Sequence, residues 1–128
     1  MTEKADRKAD LWEAAVKKPI PLKPARAFRT YTGGSRIERL HGNLQAQDSH
    51  FPEEWIMSVT EARNPGRERL REGLSRIKGT DRYLKDLIAD DPEEMLGKAH
   101  VKRFGAQPGV LVKLIDSAER LTIQVHPD

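Results

Sequence analysis

Residues 111–128 read LVKLIDSAERLTIQVHPD, and this stretch decides how the rest of the chain is to be understood. VLVKLID at 110–116 is apolar but for Lys113 and a closing aspartate, the pattern of a strand buried on both faces. LTIQVH at 121–126 alternates strictly, with Leu121, Ile123 and Val125 on one face and Thr122, Gln124 and His126 on the other. SAER at 117–120 is a connection short enough to make the two a hairpin. The tail is therefore expected to be β, with one polar and one apolar face.

Upstream, the signals are shorter. EEWIMSVT at 53–60 sets Trp55, Met57 and Val59 against Ile56, Ser58 and Thr60, a period of two that predicts a strand. TYTGGSR at 30–36 is a turn in which Gly33 and Gly34 permit positive φ. IPLKP at 20–24 must be extended, because residues before proline avoid the helical region, and it suits a sheet edge. Residues 67–78 have no clear apolar face and read as a loop or a ragged helix. Tyr83, Leu84, Leu87 and Ile88 follow helical spacing behind Thr80 as a candidate cap. Asp91-Pro92-Glu93-Glu94 supplies a cap, a first-position proline and first-turn acids for a second short helix ending near Gly97. At the N-terminus, Leu11 with Ala15 and Trp12 with Val16 suit an amphipathic helix over 3–18 that Pro19 ends. The organisation expected is an N-terminal helix or extension over 1–19 followed by one unit over 20–128, mainly β with short helices, an α+β arrangement.

Composition bounds the function. The chain has 128 residues, room for one domain, with 37% hydrophobic, 34% charged and 5% aromatic side chains, which points to a very wet surface or to part of a core. No charge-free apolar stretch approaches the roughly 20 residues of a membrane helix, and MTEKADRKAD is too charged for a signal peptide, so a cytoplasmic location and no membrane partner are expected. The absence of cysteine removes disulfides and thiolate metal sites. The formal net charge of +3 is too small to imply a polyanion partner, and its basic excess is N-terminal.

Three groups of residues carry possible chemistry. Gln124 and His126, two apart on a strand, would leave one face with Cα atoms about 6.5–7 Å apart, close enough to converge on one ion. Two ligands fall short of the three or four that zinc requires, so spacing alone favours a polar face meeting solvent before Pro127 over a metal site. Lys113 must carry its ammonium to the rim or meet an anion, and the anion could be a substrate phosphate. Arg63, Arg67, Arg69, Arg71 and Arg76 cluster, but Glu61, Glu68 and Glu72 interleave and aromatics do not, which favours a solvated surface over a nucleic-acid footprint. His41, His50 and His100 lack ligand spacing and read as surface residues, and Gly33-Gly34 lacks the frame of a phosphate loop.

With these residues assembled, a family likeness emerges. LVKLIDSAERLTIQVHPD strongly resembles the stretch of type I mannose-6-phosphate isomerases that runs from a strand lysine to a glutamine-x-histidine-proline-aspartate end, with the lysine-to-glutamine spacing kept. PLKP at 21–24, the Gly33-Gly34 turn, Glu53-x-Trp55-x-x-Ser58 and Phe104-Gly105 fall in the family's order, so the resemblance runs from about residue 20 to the end. It implies the N-terminal part of a cupin-type β-sandwich, in a family that interconverts mannose 6-phosphate and fructose 6-phosphate with one zinc ion. It also implies that Gln124 and His126 are two of four zinc ligands, and that Lys113 and Thr122 bind the phosphorylated sugar. The catalytic base and the other ligands are expected beyond Asp128, in a missing C-terminal part, so that this chain alone is inactive. One departure is local: the family often has an aromatic directly before the paired glycines, where this chain has Thr32, with Tyr31 one step earlier. The rival readings are a non-catalytic sugar-binding or regulatory cupin domain and, more distantly, a basic nucleic-acid-binding module.

Overall fold

The computed structural model describes residues 18–125. The helix expected over 3–18 and the residue His126 therefore lie outside the described residues, save for Lys18. Along the chain come β1 (Arg26–Ala27), α1 (Ser35–Leu40), β2 (Glu53–Ile56), a 3-10 turn (Glu68–Leu70), α2 (Leu84–Asp90), α3 (Pro92–Leu96), α4 (Lys98–Phe104) and β3 (Val112–Ile115). The three strands form one antiparallel sheet in the order β1-β2-β3. The expected α+β class holds, but its emphasis does not. Four helices of five to seven residues outweigh strands of two to four, so the described residues are not mainly β, and they form one sheet rather than two facing ones.

The register of β2 sets the architecture. Glu53 pairs with Ala27 on one side and Ile115 on the other, and Trp55 pairs with Lys113. Directly opposed residues share a face, so Ala27, Glu53, Trp55, Lys113 and Ile115 lie on one side of the sheet. Arg26, Glu54 and Leu114 lie on the other. Trp55 joins Ala27 and Ala62 in the core and is 5% exposed. Its ring has room only because residue 73 is glycine, where an added Cβ would stand 2.6 Å from the indole, at a φ of +84°. On the opposite face Glu54 is buried against Arg26 at 3.8 Å and is hydrogen-bonded to His41 Nε2 at 2.7 Å, so His41, at the surface as expected, is nonetheless paired.

Most local expectations are met with altered bounds. β2 stops at Ile56 because Met57 turns to a φ of +53°. IPLKP makes a single bridge, Leu22 to Ile77, rather than a strand, as its prolines require. α2 presents Leu84, Leu87 and Ile88 inward, yet Tyr83 precedes it as the cap position. Thr80 instead bonds within its own turn, to Ile77 O and from Arg82 N. Asp91 caps α3 through Glu94 N, with Pro92 and both glutamates placed as expected.

The tail departs most. β3 is an edge strand whose Val112 and Ile115 are 47% and 51% exposed, not a strand buried on both faces. Residues 121–125 form no ladder with it. The connection is held elsewhere: Asp116 N donates to Pro52 O, Asp116 O accepts from Gly34 N, and Ala118 N donates to Thr32 O. Glu119 accepts from both Thr32 N and Thr32 Oγ1. A connection fastened to the 32–34 loop cannot close as a hairpin turn over β3.

Candidate functional site

The shared face of β2 and β3 opens into a cavity of about 620 Å³. Glu53, Lys113 and Ile115 form its floor, Arg29, Thr30 and Tyr31 one wall, and the segment from Glu119 through Thr122 and Gln124 the other. Three residues singled out in the sequence, Lys113, Thr122 and Gln124, thus border one space, although Thr122 and Gln124 sit on irregular chain. Ile123 and Val125 are 92% and 90% exposed, but Leu121, expected on their face, lines the cavity beside Thr122, so the alternation does not carry through the whole segment. No placement is described for His126.

Glu53 organises this floor and was not singled out as a site residue by sequence reasoning. Arg29 Nε reaches Oε1 at 3.0 Å and Arg29 Nη2 donates to Oε2 at 3.1 Å, a bidentate clamp. Tyr31 Oη donates to Oε1 at 2.5 Å and Trp55 Nε1 donates to Oε2 at 2.7 Å. Lys113 Nζ stands 3.5 Å from Oε2 and 4.7 Å from the centre of the Trp55 ring, which Arg29 also approaches at 5.1 Å. The apolar-strand lysine therefore meets an anion, and that anion is an internal carboxylate. The one sequence signal for this hub was the spacing Glu53-x-Trp55, which places carboxylate and indole on one face of a strand.

Electrostatics follow from the contacts. Burial alone would raise the Glu53 carboxyl, but donation by Arg29, Tyr31 and Trp55 and the charge of Arg29 outweigh it and hold the pKa down to about 2. A carboxylate so acidic is a poor proton acceptor at neutral pH. It anchors two cations, Arg29 and Lys113. Tyr31 is pushed above the usual phenol range by burial, by donating to Glu53 and by that carboxylate's charge. At the rim, Glu119 is held below the usual carboxylate range by its two bonds from Thr32.

The arginine cluster is committed differently. Arg67 clamps Glu72 at 2.5 Å and lies over Phe28 and Phe51 at 4.6 and 5.5 Å. Arg71 pairs with Glu61 at 3.0 Å, and Arg71 and Arg76 both lie against Tyr83. Folding brings in the aromatics that the local sequence lacked, and uses them to hold the chain together. No described helix is long and apolar enough to cross a membrane.

A cavity floored by a fixed carboxylate, with an ammonium beside it and hydroxyl and amide groups on its walls, offers the kinds of group that hold a small polar molecule. The chain belongs to the type I phosphomannose isomerases: the model of that family's catalytic domain matches residues 39–128. A mannose-6-phosphate isomerase of Ogataea parapolymorpha is 43% identical over 47 residues, which are 35% of this chain and 11% of that protein. Those of Escherichia coli K12 and Shigella flexneri are each 47% identical over 45 residues, again 35% of this chain and 11% of theirs. The matched stretch thus covers about a tenth of these relatives' length. No solved structure matches. Residues 20–38, where the resemblance was also read, lie outside the family match, although they supply Arg29, Tyr31 and the glycine loop.

Proposed function

We propose that this chain carries part of the sugar-phosphate site of a mannose-6-phosphate isomerase of the cytoplasm. In this reading residues 20–128 are the N-terminal portion of a cupin-like isomerase domain, preceded by an extension over 1–19. The observation that supports it is the gathering of Lys113, Thr122 and Gln124 around one cavity, the residues to which the family resemblance gives substrate and metal roles. Lys113 offers N–H donors to phosphate or sugar oxygens, and the Thr122 hydroxyl can donate to the same ligand. Both hold the sugar from groups remote from C1 and C2, so that binding energy orients the reacting carbons. The reaction of the whole protein moves a proton between C2 and C1 while the carbonyl passes the other way, with no net oxidation.

Gln124 and His126 are proposed as two zinc ligands. Among the described residues no group of three His, Cys, Asp or Glu side chains could hold a metal, so these residues do not by themselves fit a zinc site. The chemistry proposed for this chain is binding and orientation. Calorimetric titration of the 128-residue chain with zinc should show weak binding, weaker still in His126→Ala, and no turnover of mannose 6-phosphate. Chelator-sensitive turnover by the purified chain would contradict the division of labour proposed here. Zinc binding unchanged by loss of both Gln124 and His126 would remove the ligand assignment.

A further inference from the structure

Among the described residues, the polar partners of the Glu53 carboxylate are all hydrogen-bond donors or cations: Arg29 on both oxygens, Trp55 Nε1, Lys113 and Tyr31. A carboxyl surrounded in this way is ionised and has no proton to offer. The proton in the Tyr31–Glu53 bond therefore belongs to the phenol. A tyrosine hydroxyl has one proton and keeps acceptor capacity on its oxygen, so Tyr31 Oη meets any ligand in the cavity it lines as an acceptor alone. Lys113 and Arg120, on the same lining, are donors alone. The cavity thus presents an acceptor close to fixed positive charge, an arrangement suited to a molecule that has both hydroxyl protons and anionic oxygens.

We propose that Tyr31 selects the ligand of this cavity: its phenol oxygen, with its own proton committed to Glu53, accepts a hydrogen bond from one hydroxyl of the sugar. The inference rests on the sugar-phosphate reading above and adds a selecting residue to it. It also accounts for the displaced aromatic. Thr32, in the place before the glycines, is occupied by Glu119, while Tyr31 turns to Glu53 and lines the cavity.

The test is calorimetric binding of mannose 6-phosphate and its 2-, 3- and 4-deoxy analogues to the 128-residue chain and to Tyr31→Phe. In the native chain one analogue should bind about fivefold more weakly than the parent sugar through loss of that hydrogen bond. Tyr31→Phe should bind the parent about fivefold more weakly and lose the discrimination against that same analogue. Equal affinity of the native chain for the parent and all three analogues would overturn the inference, as would discrimination that survives in Tyr31→Phe. The Trp55 indole N–H resonance reports whether the variant leaves Glu53 in place; if it shifts, Thr122→Ala decides, since it leaves Tyr31 and Glu53 in place and should keep the discrimination against that analogue, whose loss there would overturn the inference. Failure of the native chain to bind any of the four sugars would instead overturn the sugar-phosphate reading, and this inference with it.

Discussion

Gly33→Ala is expected to prevent the chain from reaching its native fold. A Cβ at this position would stand 1.9 Å from Asp116 O, 2.9 Å from Asp116 C and 3.0 Å from Ala118 N, all backbone atoms, at a φ of +151°. None of these is the flexible end of a side chain. The methyl group is accommodated only if residues 116–118 move away, and their movement breaks the bonds from Gly34 N to Asp116 O and from Ala118 N to Thr32 O. Gly33 also exchanges two backbone bonds with Ser49, at 2.9 and 2.8 Å, so the displacement spreads to both sides. The loss should be several kcal/mol, a large share of the roughly 5–15 kcal/mol that holds a domain together. Gly42→Ala is the control. Its φ is +95° but its Cβ meets nothing within 4 Å, so only the backbone cost of about 1–2 kcal/mol applies. Urea unfolding followed by circular dichroism distinguishes the two: a displaced midpoint for Gly42→Ala and no cooperative transition for Gly33→Ala.

The second large effect concerns acid. Glu53 has a folded pKa of about 2 against an ordinary 4.5, a depressed value, so its contribution is fully present above pH 4.5 and is lost as pH falls towards 2. At about 1.4 kcal/mol per unit, this one carboxylate gives on the order of 3 kcal/mol of stability that acid removes. Glu53→Gln should lower stability at pH 7 by about 3 kcal/mol, because Arg29 loses the charge it clamps and the amide sets a donor against other donors. Its stability should also fall less between pH 4.5 and 2 than that of the native chain. Unfolding free energies measured across that interval check both statements, and parallel acid profiles would refute the assignment of the low pKa to Glu53.

What could be read from residues alone, and what could not, follows from the reach of each signal. α2 and α3 were legible because their signals are local: a 3.6-residue apolar stripe through Leu84, Leu87 and Ile88, and Asp91 with Pro92 at a helix start. α1 and α4 were not, since both are entered from a glycine, Gly34 and Gly97, with no side-chain cap. The tail alternation set Thr122 and Gln124 apart from Ile123 and Val125 but put Leu121 on the wrong side, since Leu121 lines the cavity with Thr122 and Gln124. It could not name a hydrogen-bond partner, and the hairpin failed because Asp116, Ala118 and Glu119 are tied to residues more than 60 positions earlier in the chain. The site divides in the same way. Lys113, Thr122 and Gln124 were visible through one contiguous motif, whereas Arg29, Tyr31 and Glu53 are brought together by the register of a sheet whose first strand has two residues.

The outward edge of β3 has a bearing on how the chain behaves in solution. Exposed edge strands are ordinarily guarded by a charged side chain projecting into solvent, which deters a second strand from adding on. The lysine of β3 does not serve that purpose, because its ammonium is turned towards Glu53 and the Trp55 ring. Val112 and Ile115 stand exposed on a margin that no strand pairs among the described residues. The contact that builds the floor of the cavity therefore withdraws the gatekeeper from the sheet's margin, and a chain built this way trades colloidal protection for a fixed cation in its binding site.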